Sequence, residues 1–223
     1  MKIAIVAPVF NEEKFIPNFV NSISTLGYPA YIIDDGSVDD TPKILSNLRV
    51  KGTKVRIFKH NVNLGKGAAM KTGAEAAFSD GFDAVVFMDA DGQHDINDFP
   101  KFVKKLNEGY EVVFGSRNMG MGVPLIRYVG NKLASLMISF LFGRYFSDIL
   151  CGYRAITKKA YKEIKWESAG YAVETEMVIR TAKCKLMHCE VPVSTLYLDE
   201  FKGVSLIDAV GIFFDVLRWR IKL

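Results

Sequence analysis

The sequence predicts an α/β fold: a mostly parallel β-sheet flanked by helices on both faces. Short apolar runs of strand length alternate with stretches of helical periodicity from Ile3 to Arg117. These runs end in polar clusters, and no Pro/Gly/Ser-rich linker or low-complexity segment divides the 223 residues. In open parallel sheets ligands bind beyond the carboxyl ends of the strands. Asn11-Glu12, Asp34-Asp35, Asp89–Asp91 and Ser116-Arg117 are therefore expected along one edge.

Taken in order, Ile3–Val9 reads as a buried first strand, and Phe10–Glu13 opens a helix with Phe15, Ile16, Phe19, Val20 and Ile23 on one face. Tyr31–Ile33 is a second strand. Asp40 or Thr41 can cap the next helix, with Pro42 in its first turn. Val55–Phe58 is a third strand, and a helix runs from Ala68 to about Phe78. Ala84–Met88 is a fourth, covered on both faces. A helix starting at Asp98 or Phe99-Pro100 and a strand at Val112–Phe114 complete the first half. In the second half, Leu133–Gly143 reads as an apolar helix and Ser147–Arg154 as a loop returning to the core. A helix around Glu174–Ala182 and a strand around His188–Val193 follow. Val204–Leu223 is apolar and aromatic, with Arg218, Arg220 and Lys222 at its end.

Composition narrows the function classes. A net charge of +4 is too mild to argue for nucleic acid. Cys151, Cys184 and Cys189 form no CxxC, which points to reduced thiols, and Cys184, His188 and Cys189 lack a fourth zinc ligand at a usual spacing. No signal peptide or transmembrane helix is evident: Leu133–Gly143 falls short of the ~20 residues a span needs. A soluble or peripheral protein is expected.

The most informative stretch is Val85–His94. In an extended chain Asp89 and Asp91 point to one side, while Met88 and Ala90 point away. Two hard oxygen ligands at the mouth of a parallel sheet suit Mg²⁺ or Mn²⁺ holding substrate phosphates. The alternative is a solvated turn, which Asp-Ala-Asp-Gly also suits. Gly65-Lys66-Gly67 is neither a P-loop nor a dinucleotide fingerprint, since Met70 stands at the third glycine position. A glycine-lined helix start with a lysine can favour an anion, or can leave Lys66 in solvent.

Six motifs occur in order: Pro8–Glu12, Asp34–Ser37, Asn63–Gly67, Asp89–His94, Gly115–Arg117, and Ser147-Asp148 through Gly152–Arg154. Together they resemble the family 2 glycosyltransferases of the GT-A (Rossmann-like) fold, and most closely the dolichol-phosphate mannose and glucose synthases. The resemblance covers about residues 1–195. It implies a catalytic domain over 1–203, with a nucleotide-sugar-binding half at 1–117 and an acceptor-binding half at 118–203, followed by a C-terminal amphipathic helix at 204–223. It further implies that Pro8, Phe10, Glu12 and Asp35 line the nucleoside pocket, with Lys66 and Ala90 near the donor. Asp89 and Asp91, with Gln93 as a further ligand, hold the metal. Arg117, Arg127 and Ser135 lie near the phosphates, including that of the acceptor. Arg127–Lys132 matches a run common in the polyprenyl-phosphate branch.

The expected reaction is inverting transfer of a sugar from a UDP- or GDP-sugar to a polyprenyl phosphate, at the cytoplasmic face of the membrane. A phosphate nucleophile is already anionic and needs cations, and Gly115–Ser147 supplies Arg117, Arg127, Lys132 and Arg144 with no acidic residue. A hydroxyl acceptor needs a base instead, for which Asp148, Glu174 and Glu176 are candidates. Their competing readings are an Asp148–Arg154 ion pair that fixes the loop, and solvated or helix-pairing glutamates. A nucleotide-sugar-binding protein without catalysis is the alternative from another class. Leu133–Gly143 and Val204–Leu223 are expected to meet the membrane interface, to pack on the sheet, or to bury each other in a homodimer. One departure stands out: the arginine- and glycine-rich turn after Glu190–Val193 is absent, with Lys202 as the potential substitute.

Overall fold

The computed structural model describes residues 1–47, 54–117, 125–194, 211 and 214–220, the side chains of 125–128 excepted. The first half alternates as expected: β1 (Ile3–Val9), α1 (Ile16–Thr25), β2 (Ala30–Asp34), α2 (Thr41–Asn47), β3 (Val55–Lys59), α3 (Lys66–Ser79), β4 (Ala84–Phe87), α4 (Phe99–Asn107) and β5 (Val112–Arg117). Proline occupies the first turn of α1 and of α4, where its missing N–H costs no helix bond. β2 and β4 are buried throughout, whereas the edge strand β3 is largely open and carries Arg56 and Lys59, charges that discourage edge pairing.

Then come α5 (Leu125–Phe142), β6 (Arg154–Thr157), α6 (Lys158–Ile164), α7 (Val173–Lys183) and β7 (His188–Val193), and the chain is again helical over 214–220. The seven strands form one sheet in the order β3-β2-β1-β4-β6-β5-β7. All pairings are parallel except those of β6 with β4 and β5. The sheet therefore runs continuously through both halves anticipated from the sequence. The loop reading of Ser147–Arg154 holds to Tyr153, but Arg154–Thr157 then forms a strand that apolar patterning did not suggest, because it is short and opens on a charged residue.

That strand shapes the site. Arg154 stands opposite both Phe87 and Phe114. Being antiparallel, β6 begins at the edge where β4 and β5 end. The loop that feeds it is thus carried over their carboxyl ends.

Apolar side chains cover both faces of the sheet. One cluster joins Val6, Ile33, Val85 and Phe87 to α3, α6 and α7, and also takes in Ile138, Val216 and Trp219. The other joins Ile5, Ile32, Val86 and Val113 to α1 and α4. The helix α5 thus begins before the expected Leu133 and packs by one face. On its other face Val129, Leu133, Leu136 and Phe140 are exposed, Phe140 at 89%. The 214–220 helix likewise buries Val216 and Trp219 and exposes Phe214. No helix among the described residues is long and apolar enough to cross a membrane. The 203/204 boundary and Lys202 lie outside the described residues.

Candidate active site

The carboxyl ends of β1 and β2 form a laced rim. Asn11 adopts a left-handed φ of 54°, so that its amide N–H reaches Ser37 Oγ at 2.9 Å and its Oδ1 accepts from Val38 N at 2.9 Å. Glu12 N donates to Thr41 Oγ1 at 2.9 Å. Pro8 is half-buried in β1, and Phe10 is 40% exposed at the rim, an apolar face open to a ring. Asp35 is buried. Its carboxylate meets His60 Nδ1 at 2.6 Å and accepts from Leu64 N at 3.0 Å and Gly65 N at 2.7 Å, while His60 Nε2 reaches Thr72 Oγ1. Asp35 thereby fixes the turn that starts α3.

That turn aims Lys66 across the edge of the sheet. Its ammonium lies 2.8 and 2.9 Å from the two oxygens of Asp89 and 2.7 Å from Glu174 Oε1. Lys66 is therefore paired with carboxylates and not left in solvent. The chain around Ser168–Gly170 closes over Gly65 and Gly67, and Ala68 N donates to Ala169 O at 3.1 Å. Burial alone lowers the lysine's pKa, but the carboxylates of Asp89 and Glu174 outweigh it and hold the proton on. Asp89 is the mirror case: burial raises its carboxyl pKa, yet Lys66 and then His94 bring it below the usual range.

Asp91 differs. Burial and then the charge of Asp89 push its carboxyl pKa up, while Oδ1 accepts from Gln93 N at 3.0 Å. His94 accepts from Asp89 N through Nδ1 at 3.1 Å, and its ring stacks on Tyr153. Burial lowers its pKa, against the pull of Asp89 and Asp91, which accords with Nδ1 acting as an acceptor. Ala90 is buried between the two aspartates.

Asp89, Asp91 and Glu174 place three carboxylates around the one ammonium of Lys66, and after burial the charge of Asp89 is the next cause that raises the Asp91 carboxyl. A divalent cation fits this donor set. Among the described residues no group of three His, Cys, Asp or Glu side chains is arranged to hold a metal ion by itself. A cation held by Asp89 and Asp91, with Gln93 beside them, would then share its remaining positions with water and substrate oxygens, as Mg²⁺ commonly does.

Gly152 is a site residue whose role spacing alone did not reveal. Two positions before Arg154, it lies over the residue two positions beyond Phe87. A Cβ there would collide with the Asp89 carboxylate and stand 2.8 Å from Lys66 Nζ. Gly152→Ala is expected to push Asp89 off Lys66 and to cost at least about tenfold in turnover, roughly 1.4 kcal/mol, with the fold retained. Steady-state kinetics alongside a thermal melt checks this.

The other expected residues fall in different places. Arg117, at the end of β5, clasps Asp148 with Nε at 2.6 Å and Nη2 at 2.9 Å, and its backbone N–H donates to the same carboxylate at 3.1 Å. The expected Asp148–Arg154 pair is thus corrected: Asp148 pairs with Arg117. Arg154, fully buried, instead donates to the carbonyls of Cys151, Ile149 and Glu174. Glu176 is also fully buried. It accepts from Glu167 N, Ser168 N and Arg180 Nε, so it clasps the loop over α3 and is not solvated, although the helix-pairing reading holds through Arg180. Glu174 is 4% exposed; one of its oxygens engages Lys66 and the other is buried without a partner. Ser135 is fully buried on α5 with its Oγ unpartnered. Arg127 lies in the first turn of that helix, with its side chain outside the description.

A doubly covered, mostly parallel sheet with paired aspartates and an ammonium at its carboxyl edge has the architecture of GT-A glycosyltransferases. The chain belongs to glycosyl transferase family 2, whose pattern matches residues 4–165. It is 35% identical, over 98% of its own length and 96% of the relative's, to the UDP-N-acetylglucosamine–dolichyl-phosphate N-acetylglucosaminyltransferase of Methanococcus voltae. It is 27% identical to the polyprenol monophosphomannose synthase of Mycolicibacterium smegmatis, over 98% of this chain and 86% of that one. Among solved structures, glucosyl-3-phosphoglycerate synthase from Mycobacterium tuberculosis, in complex with Mn²⁺, UDP and phosphoglyceric acid, superposes with a TM-score of 0.74. That match covers 99% of this chain and 78% of the other at 22% identity, a likeness of fold. The protein is a glycosyltransferase.

Proposed function

We propose that this glycosyltransferase moves a sugar from a UDP- or GDP-sugar to a polyprenyl phosphate, with inversion, at the cytoplasmic surface of a membrane. One observation carries the choice of acceptor: the three candidate bases, Asp148, Glu174 and Glu176, are each held by a cation, Glu174 through one of its two oxygens. Asp148 is forked by Arg117, Glu176 is held by Arg180 and two backbone N–H groups, and Glu174 faces Lys66. A hydroxyl nucleophile needs a base in such a place, whereas a phosphate monoester, with a second pKa of about 6, does not. The dolichyl- and polyprenyl-phosphate relatives support the same reading.

In this account Phe10, Pro8 and the laced rim receive the nucleoside, and Asp35 keeps the Lys66 turn in register beside it. Asp89 and Asp91 hold a Mg²⁺ or Mn²⁺ ion on the donor pyrophosphate. When bound, that ion acts as a Lewis acid and stabilises the charge that grows on the leaving phosphate. Arg117 stands at the end of β5, and Arg127 on the first turn of α5 continues toward the acceptor half. Titration with UDP- and GDP-sugars, with and without Mn²⁺, identifies the donor. Binding that ignores Mn²⁺ and both nucleotides would overturn the reading.

The exposed stripe Val129, Leu133, Leu136 and Phe140, with Phe214 and Arg218 on the 214–220 helix, suits the boundary between lipid headgroups and acyl chains. Burying Leu133 and Phe140 contributes about 3–6 kcal/mol. The double variant Leu133→Gln, Phe140→Gln is expected to lower vesicle binding at least about 100-fold while nucleotide-sugar affinity is unchanged. Co-sedimentation with anionic vesicles checks this. Unchanged vesicle binding, with loss of a concentration-dependent dimer, would make a second copy of the chain the occupant of the stripe.

A further inference from the structure

Lys66 sits where a cation at Asp89 belongs. Its Nζ contacts both Asp89 oxygens, at 2.8 and 2.9 Å, and Gly152 closes one side of that position. A divalent ion bound to Asp89 stands about 2 Å from a carboxylate oxygen. The ammonium cannot keep both oxygens beside such an ion without two cations meeting at contact distance, where their repulsion is large. A second acceptor is already in place: Glu174 Oε1 is 2.7 Å from Nζ, and Glu174 Oε2 is buried with no hydrogen-bond partner.

We propose that Lys66 is an exchangeable internal counter-ion: it and the divalent metal compete for Asp89, and Glu174 holds the lysine when Asp89 passes to the metal. This rests on the reading of Asp89 and Asp91 as the metal-holding pair. Two consequences follow for metal binding before any donor arrives. Lys66 lowers the affinity of the site for a divalent ion, because Asp89 must first be released. Glu174 raises it, because it lets the lysine go. Donor and metal then bind in concert, since the donor's phosphates give the freed ammonium a further partner.

The test is Mn²⁺ binding to the full chain, followed by the electron paramagnetic resonance signal of free Mn²⁺. Lys66→Met is expected to bind Mn²⁺ without nucleotide at least about tenfold more tightly than wild type, and Glu174→Gln at least about threefold more weakly. The opposite signs separate the exchange from a general loss of fold, which weakens both, and thermal melts verify that each variant is folded. Wild type and Asp89→Asn are also titrated in the presence of UDP or GDP, corrected for the nucleotide's own chelation. If Asp89→Asn loses Mn²⁺ while Lys66→Met binds no more tightly than wild type, the metal site stands and the exchange is overturned. If Asp89→Asn binds Mn²⁺ as wild type does, the metal reading fails and the exchange with it.

Discussion

Replacing Asp91 with Asn is expected to lower turnover at least about 10³-fold while the protein stays folded; that corresponds to about 4 kcal/mol of transition-state stabilisation. The size follows from the role. Charge develops on the leaving phosphate as the sugar departs, and stabilisation of that charge is commonly the largest single contribution in such sites. Asp91 carries little of the fold, because it is partly exposed and the hydrogen bond it accepts from Gln93 N can pass to an amide oxygen. Asp89→Asn is expected to cost as much in rate and more in stability, because Lys66 loses the carboxylate it contacts with both oxygens. Single-turnover transfer measured beside a thermal melt separates the two effects. Activity within tenfold of wild type in both variants would remove the pair from the reaction.

The largest loss of stability is expected at Arg154. Its guanidinium is fully buried, with Nε 2.7 Å from Cys151 O, Nη1 2.5 Å from Glu174 O and Nη2 2.6 Å from Ile149 O, and it lies 5.1 Å from the centroid of the Phe114 ring. Arg154→Met fills much of the same volume but leaves the buried loop carbonyls of Cys151 and Ile149 without their donor, at about 1–3 kcal/mol each, and removes the extra bond to Glu174 O, a carbonyl inside helix α7. Relief of guanidinium desolvation offsets part of this, so a net loss of about 3–5 kcal/mol is expected. That is a large share of a typical domain's stability of 5–15 kcal/mol. Arg154→Lys should restore little of it, because one ammonium cannot match a planar fork aimed at three acceptors. Denaturant midpoints measure both variants. A loss below about 1 kcal/mol would contradict the role. Arg154 also ties the loop over β4 to the first turn of α7, so its loss should loosen Glu174 and Gly152 together.

The alternating half of the fold was legible because most strands there are compact apolar runs and α1, α2 and α4 open on a proline in the first turn, whereas β3 mixes in charges and α3 shows no clear stripe. β6 was not, since Arg154–Thr157 shows neither a long apolar run nor alternation, and its charge is satisfied by backbone carbonyls, two nearby in the preceding loop and one on α7, 20 residues away. The same long-range pairing hid Asp148's partner. From spacing, Arg154 is the nearer cation, but Arg117 reaches it because β5 and the loop before β6 end side by side. Asp89 and Asp91 could be singled out from a strand running into two carboxylates. Their link to Lys66, Glu174 and Gly152 could not, because it depends on an antiparallel strand inserted between β4 and β5. The only local signal for Gly152 was its place in the motif running to Arg154.

The most direct test of the central claim is sugar transfer from the identified UDP- or GDP-sugar, with Mn²⁺ or Mg²⁺, to a short polyprenyl phosphate, run beside the matching polyprenol and a panel of soluble sugars. The account predicts a glycosyl phosphate formed only with the phosphorylated lipid, dependent on the metal and with the anomeric configuration inverted. Transfer to the polyprenol or to a sugar hydroxyl, with none to the phosphate, would contradict it.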